Sequence, residues 1–194
     1  MAFEIAQRRR RIVTAVHKQN VIKVSEALFL REVRKVAQEF PGIHYEEQLV
    51  DSMAAMLVRD AARYDVIVTT NMFGDILSDE AAELSGSLGL AGSINASDTH
   101  CMAQAQAQAQ HGSAPDIAGQ DKANPVSLIL SVAMLLDWLA RKHGREAFAQ
   151  AATSIDGAVD ALLADPARRT ADLGGTLGTK GFTDALCREI ARTS

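Results

Sequence analysis

Residues 65–70 read DVIVTT, with three apolar β-branched residues in a row. A strand with one solvated face alternates apolar and polar side chains, because neighbours point to opposite faces. A continuous apolar run instead marks a strand covered on both faces, as in a parallel sheet between helices. The flanking sequence fits that demand. RIVTAVHK (11–18) and IHYEEQLV (43–50) alternate as strands do. SEALFLREVRKVAQEF (25–40) and DSMAAMLVRDAARY (51–64) space their apolar residues as helices, with Ser25 and Asp51 as expected caps. NMFGDILSDEAAELSG (71–86) reads as a turn followed by a helix. The resulting order β-α-β-α-β-α predicts an α/β fold with helices on both sides of a sheet.

The texture changes after Gly86. GSLGLAGSINASDTH (86–100) is Gly- and Ser-rich loop with a short strand, and a Gln/Ala repeat follows it. That repeat alternates like a strand but is built from helix formers, so its local signals conflict. NPVSLILSVAMLLDWLARKHG (124–144) is a helix with Pro125 at its first turn and Gly144 at its end. EAFAQAATSIDGAVDALLAD is a further helix, RTADLGGTLGTKGF a loop or strand, and TDALCREIART a closing helix capped by Thr183. At the other end, residues 2–11 read as a helix already under way at Met1 with no cap before it. The chain is therefore expected to begin inside something larger.

Charge and cysteine usage narrow the function classes. The net charge of −4 argues against a general nucleic-acid binder. Arg8, Arg9, Arg10 and Arg11 read as a solvated helix end rather than an anion site. Two cysteines far apart and without a CxxC argue against a disulfide framework or a zinc site and point to a reducing compartment, the cytoplasm. No apolar run has the ~18 residues of a membrane span, and no signal peptide opens the chain.

Three constellations carry chemistry. Asp75 and Asp79 lie four apart on one helical face, where two like charges repel by ~0.2–0.5 kcal/mol. A helix N-terminus offsets part of that repulsion, and a divalent cation offsets more. Asp51, at another helix start, is a candidate third carboxylate. Three hard oxygens suit Mg²⁺ or Mn²⁺, although Asp in a first turn is also a common cap. HGSAPDIAGQDKANP (111–125) is a turn in which Gly112 and Gly119 allow close ligand approach and Ser113 and Asp116 offer polar groups. An Asp beside a dinucleotide accepts both ribose hydroxyls and disfavours a 2′-phosphate. The same residues also describe a turn without a ligand. No GxGxxG follows a strand, so this is not a Rossmann fingerprint. Finally, the strand VTAVHKQNV leads into Lys18 and Asn20; a Lys near a metal and other cations is a candidate base, and otherwise an ordinary solvated Lys.

Taken together, TAVHKQNV, NMFGDILSDEAAELSGSLGL, HGSAPDIAGQDKANP and DLGGTLGTKGFTDAL resemble the isocitrate/isopropylmalate dehydrogenase family of β-decarboxylating dehydrogenases, across nearly the whole chain. The resemblance implies a three-layer α/β fold of two intertwined domains, here without the N-terminal half. Residues 1–85 would be part of the small dimer-forming, metal-binding domain, and 86–194 part of the large cofactor domain. It implies oxidation of a 2-hydroxy acid bearing a 3-carboxylate, with NAD and Mg²⁺ or Mn²⁺, followed by loss of CO₂. By that resemblance Asp51, Asp75 and Asp79 match metal ligands and Lys18 the catalytic lysine. Asn20 matches a substrate and nicotinamide contact. His111, Gly112, Ser113, Ala114, Asp116, Ile117 and Asn124 match the loop that holds the adenosine half of the cofactor. NADP-dependent relatives carry Lys and Tyr at the positions of Asp116 and Ile117, so this chain resembles the NAD-preferring ones. Family members are dimers or larger, with Lys18 and Asp51 from one subunit and Asp75 and Asp79 from its neighbour. The implied partners are a small hydroxy-acid substrate and a second copy, with no nucleic acid and no membrane.

Two departures from the family pattern stand out. The half that carries the substrate-clamping arginines and a catalytic Tyr has no counterpart here, so the chain is expected to be inactive by itself. A Glu usually lies three residues before the family's His, and here that position is Gln108. These departures leave open a second class, a non-catalytic subunit or interaction module that keeps the dehydrogenase fold. The retained Lys18, Asp51, Asp75 and Asp79 argue against it. The hydroxy acid itself is not readable: VHKQN looks more like isocitrate and homoisocitrate enzymes, HGSAPDIAG more like isopropylmalate enzymes.

Overall fold

DVIVTT supplies an edge strand of a parallel sheet; Val66 and Val68 pack on one core and Ile67 on the other, yet the strand stays half-buried rather than fully covered. In the computed structural model, which describes residues 1–105 and 115–193, that sheet comprises β1 (Ile12–His17), β2 (His44–Leu49) and β3 (Val66–Thr69). The order is β2-β1-β3, all parallel, with Ile12 opposite His44 and Val13 opposite Val66. β1 is central, and its side chains divide between two cores. Val13 and Ala15 pack with Phe3 and Ala6 of α1 (Ala2–Gln7) and with Leu30 and Val33 of α2 (Ser25–Ala37). Val16 packs with Met53 and Leu57 of α3 (Val50–Asp60) and with Leu77 of α4 (Asn71–Leu84). Leu30 and Met53 are fully buried, each worth about 1.5–3 kcal/mol in apolar transfer.

Several local expectations are corrected. The first helix stops at Gln7; Arg8–Arg10 form a turn and Arg11 adopts a φ of 63°. The arginines are more than a solvated helix end. Arg9 Nε donates to Asp65 Oδ1 at 2.8 Å, and the Arg10 guanidinium donates to the carbonyls of Ala62 and Tyr64. They bind the chain entering β1 to the chain entering β3. Ser25 and Asp51 lie inside their helices, behind Val24 and Leu49, and neither helix has a side-chain cap bond. Asp51 is drawn to a cation instead, as described below. α4 begins at Asn71 with no separate turn before it.

The described chain divides into two compact units, Met1–Leu84 and Ser85–Ser194. The second holds an antiparallel pair, β4 (Gly92–Ala96) and β5 (Cys101–Ala105), with Ala96 opposite Cys101. The first residues of the Gln/Ala repeat thus lie in β5, while 106–110 fall outside the described residues. α5 (Val126–His143), α6 (Glu146–Ala164) and α7 (Thr179–Thr193) complete this unit. Val126, Ala158, Val159, Leu162, Phe182 and Leu186 form its core. α5 starts after Pro125 and stops at Gly144, which takes the left-handed conformation expected of a helix C-cap. α7 starts four residues earlier than its expected cap: Thr183 donates its hydroxyl to the Thr179 carbonyl at 2.8 Å, a mid-helix bond rather than a cap. Among the described residues no helix is long and apolar enough to cross a membrane.

Candidate active site

Parallel strands deliver their carboxyl ends to one edge of a sheet, and in open α/β sheets ligands bind outside that edge. Register does this here. His17 lies opposite Leu49 and Val16 opposite Thr69, so Lys18, Val50 and Thr70 leave the sheet together. Asp51 follows in the first turn of α3. Lys18 Nζ donates to Asp51 Oδ1 at 2.6 Å, with the Lys18 side chain 23% exposed and that of Asp51 64%. The Lys18 ammonium holds the Asp51 carboxyl below the usual range, helped by backbone donors at the α3 N-terminus.

The pair stands on a carboxylate that no sequence motif singles out. Glu26 is 3% exposed. Its Oε2 accepts the Lys18 backbone N–H at 3.0 Å and its Oε1 accepts the Thr70 hydroxyl at 3.3 Å. One buried side chain therefore joins the end of β1 to the residue before α4. Nothing local marks it, since a Glu in a helix's first turn is ordinary. His17 Nδ1 accepts the Gln19 N–H at 3.2 Å. Asn20 is exposed, in a turn closed by the Lys18 carbonyl, which accepts from Val21 and Ile22.

Asp75 and Asp79 lie one turn apart on α4. Asp75 is exposed and its Oδ2 accepts from Asn71 Nδ2 at 3.3 Å; Asp79 is half-buried. Lys18 and Asp51 are brought together, but among the described residues no three His, Cys, Asp or Glu side chains gather as a metal site. The donor chemistry still suits a hard divalent cation: a carboxylate pair on one helix, and a separate carboxylate beside an ammonium.

In the second unit Asp116 and Ile117 lie in a single 3₁₀ turn, Pro115–Ile117, with Asp116 exposed. Gln120 Nε2 donates to the Asp116 carbonyl at 2.6 Å. Asn124 is half-buried beside the start of α5. His111, Gly112, Ser113 and Ala114 lie outside the described residues, as does Gln108.

Comparison with known proteins bears on this geometry. A family model described as isocitrate/isopropylmalate dehydrogenase matches residues 1–186. The isocitrate/homoisocitrate dehydrogenase of Thermus thermophilus is 46% identical over 190 residues, covering 97% of this chain and 53% of that protein. Subunit 5 of an Arabidopsis thaliana mitochondrial enzyme, named isocitrate dehydrogenase [NAD] catalytic subunit, is 43% identical over 181 residues, 93% of this chain and 46% of that protein. Among solved structures, isocitrate dehydrogenase from Methylococcus capsulatus superposes with a TM-score of 0.85 at 38% identity, over 97% of this chain and 53% of that one. The chain thus spans about half the length of the relatives it matches.

Proposed function

Because this chain belongs to the isocitrate/isopropylmalate dehydrogenase family, we propose that it serves the NAD- and Mg²⁺- or Mn²⁺-dependent oxidative decarboxylation of a 2-hydroxy acid bearing a 3-carboxylate. The observation that carries this reading is the Lys18–Asp51 pair at the carboxyl edge of the parallel sheet. Lys18 Nζ is the group that assists removal of the substrate's hydroxyl proton. Asn20, in the following turn, contacts substrate or nicotinamide. A divalent cation, when bound, supplies positive charge at the reacting hydroxyl and its neighbouring carboxylate. Asp75 and Asp79 would hold it from one chain and Asp51 from a second copy, which makes the working unit a homodimer or larger.

On the cofactor side, Asp116 and Ile117 with His111, Gly112, Ser113, Ala114 and Asn124 would hold the adenosine half of NAD. The exposed Asp116 carboxylate suits two ribose hydroxyls and repels a 2′-phosphate. That the Arabidopsis relative is named an NAD isocitrate dehydrogenase subunit supports NAD as the nucleotide. The free thiols of Cys101 and Cys187 fit the cytoplasm.

The resemblance places the carboxylate-clamping arginines in the half these relatives have beyond the matched region. We therefore expect the 194-residue chain to bind NAD⁺ and Mn²⁺ in calorimetric titrations, yet to form no NADH from isocitrate, homoisocitrate or isopropylmalate. NADH formation by this chain alone would refute the expectation of inactivity. Binding of neither NAD⁺ nor Mn²⁺ would favour a non-catalytic module that only retains the fold.

A further inference from the structure

The segment from Pro115 to Pro125 leads from the proposed adenosine loop into α5, and side chains distant in sequence hold it at two places. At its end, Asn124 Nδ2 donates to Asp172 Oδ2 at 2.9 Å. Asn124 Oδ1 accepts the N–H of Val126, the first residue of α5, at 3.0 Å. The carboxamide is thereby fixed in one orientation. Asp172 is itself braced. The same Oδ2 accepts the Ser87 hydroxyl at 2.6 Å, and Ser87 Oγ accepts the Gly89 N–H at 3.0 Å. Partial burial works to raise the Asp172 carboxyl, but Ser87 foremost, then Thr170 and Asn124, hold it below the usual range.

In the middle of the segment, Asp121 stands at a φ of 57°. Its Oδ1 accepts the Lys180 N–H at 2.8 Å and its carbonyl accepts the Thr179 N–H at 3.2 Å. Thr179 returns its hydroxyl to the Ala123 carbonyl at 2.5 Å. A Cβ on Gly178 would stand 2.4 Å from the Asp121 carbonyl, so only glycine admits this approach. The first turn of α7 thus anchors the middle of the segment while Asp172 anchors its end.

We propose that Asp172 is a positioning residue for the cofactor: it holds the Asn124 carboxamide, so that the segment stands preformed for the nucleotide. The proposal rests on the reading of this segment as the adenosine side of an NAD site. A preformed segment matters because ordering it on binding would cost affinity. Asp172 acts on the cofactor through Asn124 and not by direct contact.

The test uses the 194-residue chain, its D172A and D172N variants, calorimetric titration with NAD⁺, and hydrogen exchange followed by mass spectrometry on the same samples. D172A is expected to weaken NAD⁺ about tenfold, the worth of one charge-assisted hydrogen bond. Exchange should quicken at residues 122–126 and stay unchanged in α6. D172N keeps an acceptor oxygen and should recover most of the affinity. A D172A chain that melts lower but binds NAD⁺ as before would make the role purely structural and overturn the proposal. Unchanged exchange at 122–126 would overturn it too. If the unmodified chain bound no NAD⁺, the cofactor reading and the ligand part of this proposal would fall together. Exchange would then still decide whether Asp172 holds the segment.

Discussion

Glu26 shows how much of this site rests on one atom pair. Its two carboxylate oxygens satisfy the Lys18 N–H and the Thr70 hydroxyl, and the residue is buried. Truncation to Ala leaves those two donors without their acceptor in a place water reaches poorly. Orphaned groups of that kind cost about 1–3 kcal/mol. Glu26→Ala should therefore lower stability by roughly that much in urea titrations, with the slope unchanged. Glu26→Gln keeps an oxygen for Lys18 and lets Thr70 reverse its hydroxyl, so it should recover at least half of the loss. Equal losses in the two variants would mean that charge, and not hydrogen bonding, is what Glu26 contributes. Lys18 and Asp51 stood out in the sequence through the family motifs that contain or precede them, while a strand end and a helix start alone left them as a solvated Lys and a cap. The roles of Glu26, Asp121 and Asp172 were not legible, because their partners lie 8 to 85 positions away and only the fold reveals which donors meet them.

Elements were legible where a backbone rule acts alone. Three apolar residues in a row sufficed for β3, and Pro125 with Gly144 bracketed α5. Elements misread at their ends are those whose ends other parts of the chain decide. α1 stops where Arg9 and Arg10 are pulled toward the 62–65 segment, and α7 starts early because Asp121 accepts its first amides. The packing of β4 against α5 belongs to this second kind. A Cβ on Gly92 would lie 2.9 Å from the Leu130 Cβ and 3.1 Å from the backbone at Leu130 and Ser131. The approach is stitched by Ser127 Oγ donating to the Ala91 carbonyl at 2.6 Å and by Ser131 Oγ accepting the Ser93 N–H at 2.9 Å. A backbone cannot retreat as a side-chain tip can, so Gly92→Val should force β4 off α5. The expected cost is about 1–3 kcal/mol, the range of core overpacking. Amide exchange at Ser93 should speed up with it, while α3 and α4 of the first unit keep their protection. A silent Gly92→Val would show that β4 does not need this closeness.

At the scale of the whole molecule, the question is why the three carboxylates do not meet. α4 places Met72, 60% exposed, and Ile76, 59% exposed, one turn apart. Asp75 and Asp79 follow each of them by three positions, so the apolar and acidic stripes run side by side. Single exposed apolar side chains are ordinary; under the dimer proposed above, a second copy laid along α4 would bury the two that stand in register beside the carboxylate pair. That copy would bring its own Asp51 to the pair. Metal binding and association would then be linked, because whatever binds only the associated form stabilises it. Three results follow from the linkage. Mn²⁺ affinity should fall on dilution of the protein. Ile76→Lys should shift the chain to monomer in sedimentation velocity and weaken Mn²⁺ at least about tenfold, as losing one of three charged ligands would. Asp51→Asn should weaken Mn²⁺ by a similar factor but leave the sedimentation of the metal-free chain unchanged, since the buried apolar stripe is intact. Mn²⁺ affinity independent of protein concentration and indifferent to Ile76→Lys would place the cation within a single chain. Asp51 would then keep Lys18 as its cationic partner.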